Sequence, residues 1–138
     1  MTPRIMNALL AGAAALTIAT AGFAGPAEAG GSLSLTLTPH NARQENAMRM
    51  GLGIYGLVNA VQNGASIRQD GFNDTAGIGQ NGFGNLGIVH QDGNGHNGSV
   101  QQNGNNNAYG LFQFGENTNG HVVQNGNGQV GTAFQFGW

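Results

Sequence analysis

Glutamine recurs at an unbroken step of eleven through the second half of this chain, at Gln69, Gln80, Gln91, Gln102, Gln113, Gln124 and Gln135. Glycine stands two residues after each one, at Gly71, Gly82, Gly93, Gly104, Gly115, Gly126 and Gly137. Two columns this regular are more than a Gln- and Gly-rich composition produces by itself, and a fixed short period marks a repeat architecture. Low charge with many Gly, Asn and Gln residues suits either an aggregation-prone disordered segment or a stacked polar solenoid. The strict period favours the solenoid.

Each unit divides in two. The residues just after Gln read as a turn (Asp70-Gly71-Phe72-Asn73, Asn81-Gly82-Phe83-Gly84), because Asn-Gly and Asp-Gly pairs tolerate the positive φ of tight reversals. The remainder reads as a strand whose alternate side chains share a face with the Gln. Examples are Ala65/Ile67/Gln69, Gly87/Val89/Gln91, Tyr109/Leu111/Gln113 and Gly131/Ala133/Gln135, with Tyr109 the one bulky intruder. Alternate units differ: Asn81, Asn103 and Asn125 follow Gln at a spacing of 22, as do Asn63, Asn85 and Asn107 with Gln129 continuing the column. The expected fold is therefore all-β, a short β-solenoid of 22-residue strand-turn-strand coils. Its two parallel sheets lie face to face, with coils about 4.8 Å apart as in cross-β amyloid.

Stacked coils set like side chains over one another. The Gln column, with Asn63, Asn85, Asn107 and Gln129, reads as an interior amide ladder in which each side chain donates one way and accepts from the other. Phe112 over Phe134 and Phe114 over Phe136 read as aromatic stacks on an outer face. A solvated polar surface is the bland alternative for the glutamines. Their pairing with an aliphatic residue two positions earlier favours the interior.

Residues 1–29 read as a signal peptide. Arg4 gives a positive start, Leu9 to Ala24 is apolar and uncharged, and Ala27-Glu28-Ala29 offers a cleavage site before Gly30. A membrane anchor is the competing reading, but the run is short and alanine-rich for a span. Residues 30–62 form an N-terminal segment. Leu33, Leu35 and Leu37 alternate with Ser34, Thr36 and Thr38 as a short strand. Thr38-Pro39 reads as the start of a helix from about Pro39 to Val61, with Ala47, Met50, Ile54, Leu57, Val58 and Val61 on one face. Gly51, Gly53 and Gly56 weaken it by roughly 1 kcal/mol each. Arg43, Glu45 and Arg49 read as its solvated side. The helix is expected to cap the first repeat, and residues 63–138 to form the repeat domain. The edge at Trp138 then carries no evident polar cap and can template another subunit.

Four basic side chains, all arginine, against six acidic ones leave no basic cluster, which argues against nucleic acid as a partner. Without cysteine there are no disulfides and no thiolate sites. No Ser/His/Asp or paired-carboxylate arrangement emerges, so neither an enzyme nor a cofactor is expected. His90 and Asp92 make a weak metal pair at most. Asp74 and His96 share a column and suggest an ion pair, with solvated turn residues as the bland alternative.

The spacing resembles the curlin repeat of curli fimbria subunits, S-x5-Q-x4-N-x5-Q with Gly two after the first Gln. It falls on Gln80, Asn85 and Gln91, on Gln102, Asn107 and Gln113, and on Gln124, Gln129 and Gln135. The Ser position holds Asp74, His96 and Thr118. A degenerate earlier repeat would put Leu52 and Val58 where Ser and Gln are expected, with Asn63 and Gln69 kept. The resemblance implies a Sec-exported structural subunit. It would form extracellular, cell-surface amyloid fibres that serve adhesion, aggregation and biofilm matrix. It implies as partners further copies of the chain, a related nucleator or major subunit, a curli-type secretion pore and periplasmic chaperones. A surface nucleator of such fibres is the nearest alternative. A monomeric β-solenoid binding ice or glycan is another, against which the mixed outer positions His121, Thr132, Gly110 and Ser99 speak.

Overall fold

The computed structural model describes residues 16–19, 30–58 and 64–138. The remainder of the expected leader, Val61 and Asn63 lie outside the described residues. Strand β1 is Leu16–Ala19 and β2 is Ser32–Leu37, followed by helix α1, Ala42–Val58. The repeat region supplies β3 (Ala65–Phe72), β4 (Thr75–Asn81), β5 (Leu86–Asn94), β6 (Asn97–Asn103), β7 (Ala108–Glu116), β8 (Asn119–Asn125) and β9 (Val130–Gly137).

Among the described residues the chain folds as a β-solenoid of about three turns with one helix. Odd-numbered repeat strands form one sheet in the order β3-β5-β7-β9 and even-numbered ones the other, β4-β6-β8. Every repeat pairing is parallel and steps by 22 residues: Gln69 on Gln91, Gln91 on Gln113, Gln113 on Gln135, and Gln80 on Gln102 on Gln124. The alternation seen in sequence thus becomes two facing sheets.

Two apolar cores result. Between the sheets lie Val89, Val100, Tyr109, Leu111 and Ala133, with Ala76, Ile78 and Val122 beside them. Tyr109 fits because Gly131 follows it in the column: a Cβ there would meet the Tyr109 ring at 2.6 Å. Burial pushes the Tyr109 hydroxyl up to about 12. The second core lies outside the first sheet, where Leu52, Met48 and Tyr55 of α1 pack on Ile88, Phe112, Val130 and Phe134.

The N-terminal segment differs from expectation in three respects. Helix α1 is capped by Asn41, whose Oδ1 accepts the Gln44 N–H at 3.0 Å, while Gln44 Oε1 accepts the His40 N–H. This N-cap starts the helix three residues after Pro39. The face that packs is Met48, Leu52 and Tyr55, spaced by four and three, whereas Met50 and Ile54 are exposed at 67% and 56% and Ala47 faces solvent. Last, α1 lies along the side of the solenoid across β5, β7 and β9 and does not cap the first repeat.

The end that is capped is the opposite one. Strand β2 pairs antiparallel with β9 from Ser32↔Gly137 to Leu37↔Thr132, and β1 pairs antiparallel with β2. The edge expected to stand open at Trp138 is covered. Residues 52–58, the expected first half of a degenerate repeat, are helical, so among the described residues the first repeat has a strand only at β3.

Candidate functional site: the amide ladders and the solenoid edges

The seven glutamines form two continuous hydrogen-bonded chains that are buried in the middle of the solenoid, whereas Gln69 at the β3 end is exposed. In one, Nε2 of Gln69 donates to Oε1 of Gln91 at 2.9 Å, Gln91 to Gln113 at 2.8 Å, and Gln113 to Gln135 at 2.8 Å. In the other, Gln80 donates to Gln102 and Gln102 to Gln124, each at 2.8 Å. The direction never reverses. The second Nε2 hydrogen crosses to the facing sheet, from Gln91 to Thr75 O at 2.9 Å and from Gln113 to Asn97 O at 3.0 Å. Gln91, Gln102 and Gln113 are fully buried with these needs met, which removes the cost of burying an amide.

A ladder of this kind is complete only in its middle. Gln69 Oε1 and Gln80 Oε1 receive no donor among the described residues, and Gln135 Nε2 uses one hydrogen on Asn119 O at 3.1 Å.

The asparagine column behaves differently from a ladder. Asn85 Oδ1 accepts the Asn107 backbone N–H at 3.0 Å, and Asn107 Oδ1 accepts that of Gln129 at 2.9 Å. Their Nδ2 atoms turn sideways to Gly104 O and Gly126 O, both at 2.8 Å. These side chains clamp corners, each tying one coil to the backbone of the next. Gln129 Nε2 instead donates within its own coil, to Asn125 O.

The glycine column serves close approach rather than the turn alone. Gly71, Gly93, Gly115 and Gly137 lie within strands β3, β5, β7 and β9, so the expected turn begins later than Gln-x-Gly. A Cβ on Gly93 (φ +137°) would overlap the Gly115 carbonyl, and one on Gly104 (φ +119°) the Gly126 carbonyl. The left-handed residue of the corners sits two positions further on, at Asn73, Gly84, Gly95, Asn106, Asn117 and Gly128. Only Asn and Gly occupy that column, the two residue types that reach positive φ at least cost. That restriction was visible in the sequence at the same step of eleven.

The aromatic columns stack. Phe112 and Phe134 lie 5.0 Å apart at 15°, and Phe114 and Phe136 lie 5.4 Å apart at 18°. Tyr55 of α1 meets Phe112 edge-on at 5.3 Å. Tyr55 Oη also bonds His90 Nδ1 at 2.7 Å, so His90 belongs to the helix contact and not to a metal pair with Asp92. No group of three or more His, Cys, Asp or Glu side chains that could hold a metal occurs among the described residues.

Other charged positions are also committed. Arg49, expected to face solvent, donates to Asn106 O at 2.7 Å and to Gly128 O at 3.2 Å, both corner carbonyls. Asp74 makes no ion pair with His96: its Oδ1 accepts the His96 backbone N–H at 2.9 Å, while the buried His96 ring bonds the Thr118 hydroxyl at 2.8 Å. Asp70 pairs with Arg68 at 2.8 Å on the open face of β3.

The two ends of the first sheet contrast. At β3 no further strand pairs among the described residues, and Ile67 (46%) and Phe72 (78%) are exposed. At β9 it is closed by β2, and Gly31 and Trp138 exchange backbone hydrogen bonds of 2.7 and 2.9 Å. No family model, curated protein or solved structure matches this chain.

Proposed function

We propose that this chain is a secreted structural subunit that polymerises into curli-like extracellular amyloid fibres for adhesion, aggregation and biofilm matrix. The observation that carries the reading is the one-way amide ladder, parallel and in register at every 22-residue step, whose first-rung acceptors receive no donor among the described residues. A further coil of the same kind supplies what that rung lacks. The curlin-like spacing of Gln80, Asn85 and Gln91 and its two successors supports the same reading. The chain then works without a cofactor and as a scaffold rather than an enzyme. Its partners are further copies, a related nucleator or major subunit, and the pore and chaperones of curli-type export.

The test is incubation of purified residues 30–138 followed by thioflavin fluorescence and fibre diffraction. Fibres with a 4.7–4.8 Å reflection are expected; a chain that stays monomeric without that reflection overturns the reading. Acceleration of a major curlin by trace amounts would assign the nucleator role. The strand on β9 favours one other reading, a monomeric solenoid, which the same incubation separates.

A further inference from the structure

Strand β2 occupies the place where a growing stack has to add its next layer. Every ladder within the solenoid is parallel with a step of 22, but β2 runs antiparallel on β9. On the interior side it sets Ser34 beside Gln135 and Thr36 beside Ala133. Neither side chain is an amide, so the glutamine chain stops at Gln135.

Continuing the 22-residue step past β9 brings β3 of a second copy alongside it. Gln69 then falls on Gln135, Gly71 on Gly137 and Phe72 on Trp138. Gln135 holds an Nε2 hydrogen beyond the one given to Asn119 O, and Gln69 Oε1 receives none among the described residues, so this link keeps the direction of the three before it. Trp138 and Phe72, exposed at 62% and 78%, become an aromatic pair. Arg68 comes beneath the Phe134 ring, where a guanidinium is attracted to the π face. The other sheet cannot carry this contact. Residues 64–138 supply four strands to the first sheet and three to the second, because the segment one period ahead of β4 begins inside α1. In this register β8 and the neighbouring copy's β4 stand two strand spacings apart, about 9.6 Å. The junction rests on β9 alone, and one strand suffices to close it.

We infer that the β9 edge is the docking surface for β3 of a second copy of this chain, and that β2 is a displaceable strand that holds it shut. The inference rests on the self-assembling reading above. Exchanging β2 for β3 replaces one set of backbone hydrogen bonds with another and adds the amide link and the aromatic pair. On its side away from β9, strand β2 is bordered by β1, from the segment expected to leave with the signal peptide. After that cleavage β2 is held on one side.

The experiment uses full-length protein, in which no native cysteine interferes. Leu33→Cys with Phe136→Cys, opposite one another across β2 and β9, locks the strand by a disulfide. Leu35→Pro releases it by removing a ladder hydrogen bond. Phe72→Cys with Trp138→Cys reports the junction, since β5 and β7 separate these residues within one chain and only two copies can join them. Expected are loss of elongation in the oxidised locked protein, its return on reduction, a shortened lag for Leu35→Pro, and a disulfide between copies in Phe72→Cys/Trp138→Cys fibres. Equal growth of locked and reduced protein overturns the role of β2. Fibres without the cross-link overturn the register. No fibres from any variant, Leu35→Pro included, overturn both this inference and the fibre-subunit reading.

Discussion

Gln91 donates Nε2 to Oε1 of Gln113 at 2.8 Å, one coil away, and both side chains are fully buried. Each amide is then donor and acceptor in one chain, so removing a middle member injures both neighbours. Gln113→Leu leaves Gln135 Oε1 without a donor, removes a side-chain donor from Asn97 O and takes the acceptor from Gln91. A loss of about 3 kcal/mol in unfolding free energy is expected from such unmet buried groups. The exposed Gln101→Leu, one residue before a ladder position, is expected to stay within about 0.5 kcal/mol. Denaturant melts of the two variants check the difference.

Glycine content divides in the same way between positions that need it and positions that do not. Gly104→Ala places a Cβ against the Gly126 carbonyl at φ +119° and is expected to cost about 3 kcal/mol or more. Gly77, on the outward face of β4, has nothing within 4 Å of a built Cβ. Gly77→Ala is expected to gain about 0.5 kcal/mol, since alanine gives up less conformational freedom on folding. Thermal melts of the pair separate the two roles.

The helix contact has its own test. A Cβ at Gly110 would meet Leu52 Cδ2 and the Phe112 ring, each at 2.7 Å. Gly110→Ala is therefore expected to lift α1 from the sheet while leaving the coils stacked. Leu52→Ala empties the same contact, at about 2–4 kcal/mol. Hydrogen exchange should show α1 amides losing protection in both variants while β5 and β7 keep theirs.

Acid should loosen the same face. Burial holds His90 below its ordinary pKa of 6.5, the nearby Arg68 adds to the shift, and Asp92 and Asp70 oppose it. Its hydroxyl partner Tyr55 is shifted upward, chiefly by burial, so it stays neutral across this range. The folded state thus binds fewer protons than the unfolded chain between the lowered pKa and 6.5, and stability rises with pH through that window. Above 6.5 the contribution is fully present, and it declines as pH falls below. His90→Gln keeps a hydrogen-bonding group that does not titrate and is expected to flatten the profile. Helix protection measured from pH 7.5 to 5 checks the sign.

The repeat was legible because each of its constraints recurs. Stacking puts Gln113 in the environment of Gln91, so one column of the sequence displays one physical requirement several times over. The same logic exposed the Phe112–Phe134 and Phe114–Phe136 stacks, and it would have exposed the Asn/Gly corner column from Asn73 to Gly128. The N-terminal segment has no repeats to compare. There the Asn41–Gln44 cap was hidden by the stronger Pro39 signal. The apolar residues of α1 nearly encircle it, so Met50 and Ile54 were as plausible a buried face as Met48 and Leu52. Strand β2 was legible as a strand, but local alternation carries no information about which edge it covers.

The central claim is a fibre built from coils, each copy occupying several layers, and mass per unit length tests it most directly. Four strands of the first sheet per copy give one chain for about 19 Å of fibre at about 4.8 Å per strand. Scanning transmission electron microscopy of unstained fibres is expected to return that value. One chain per about 4.8 Å, the value for flat chains stacked in register, would contradict it.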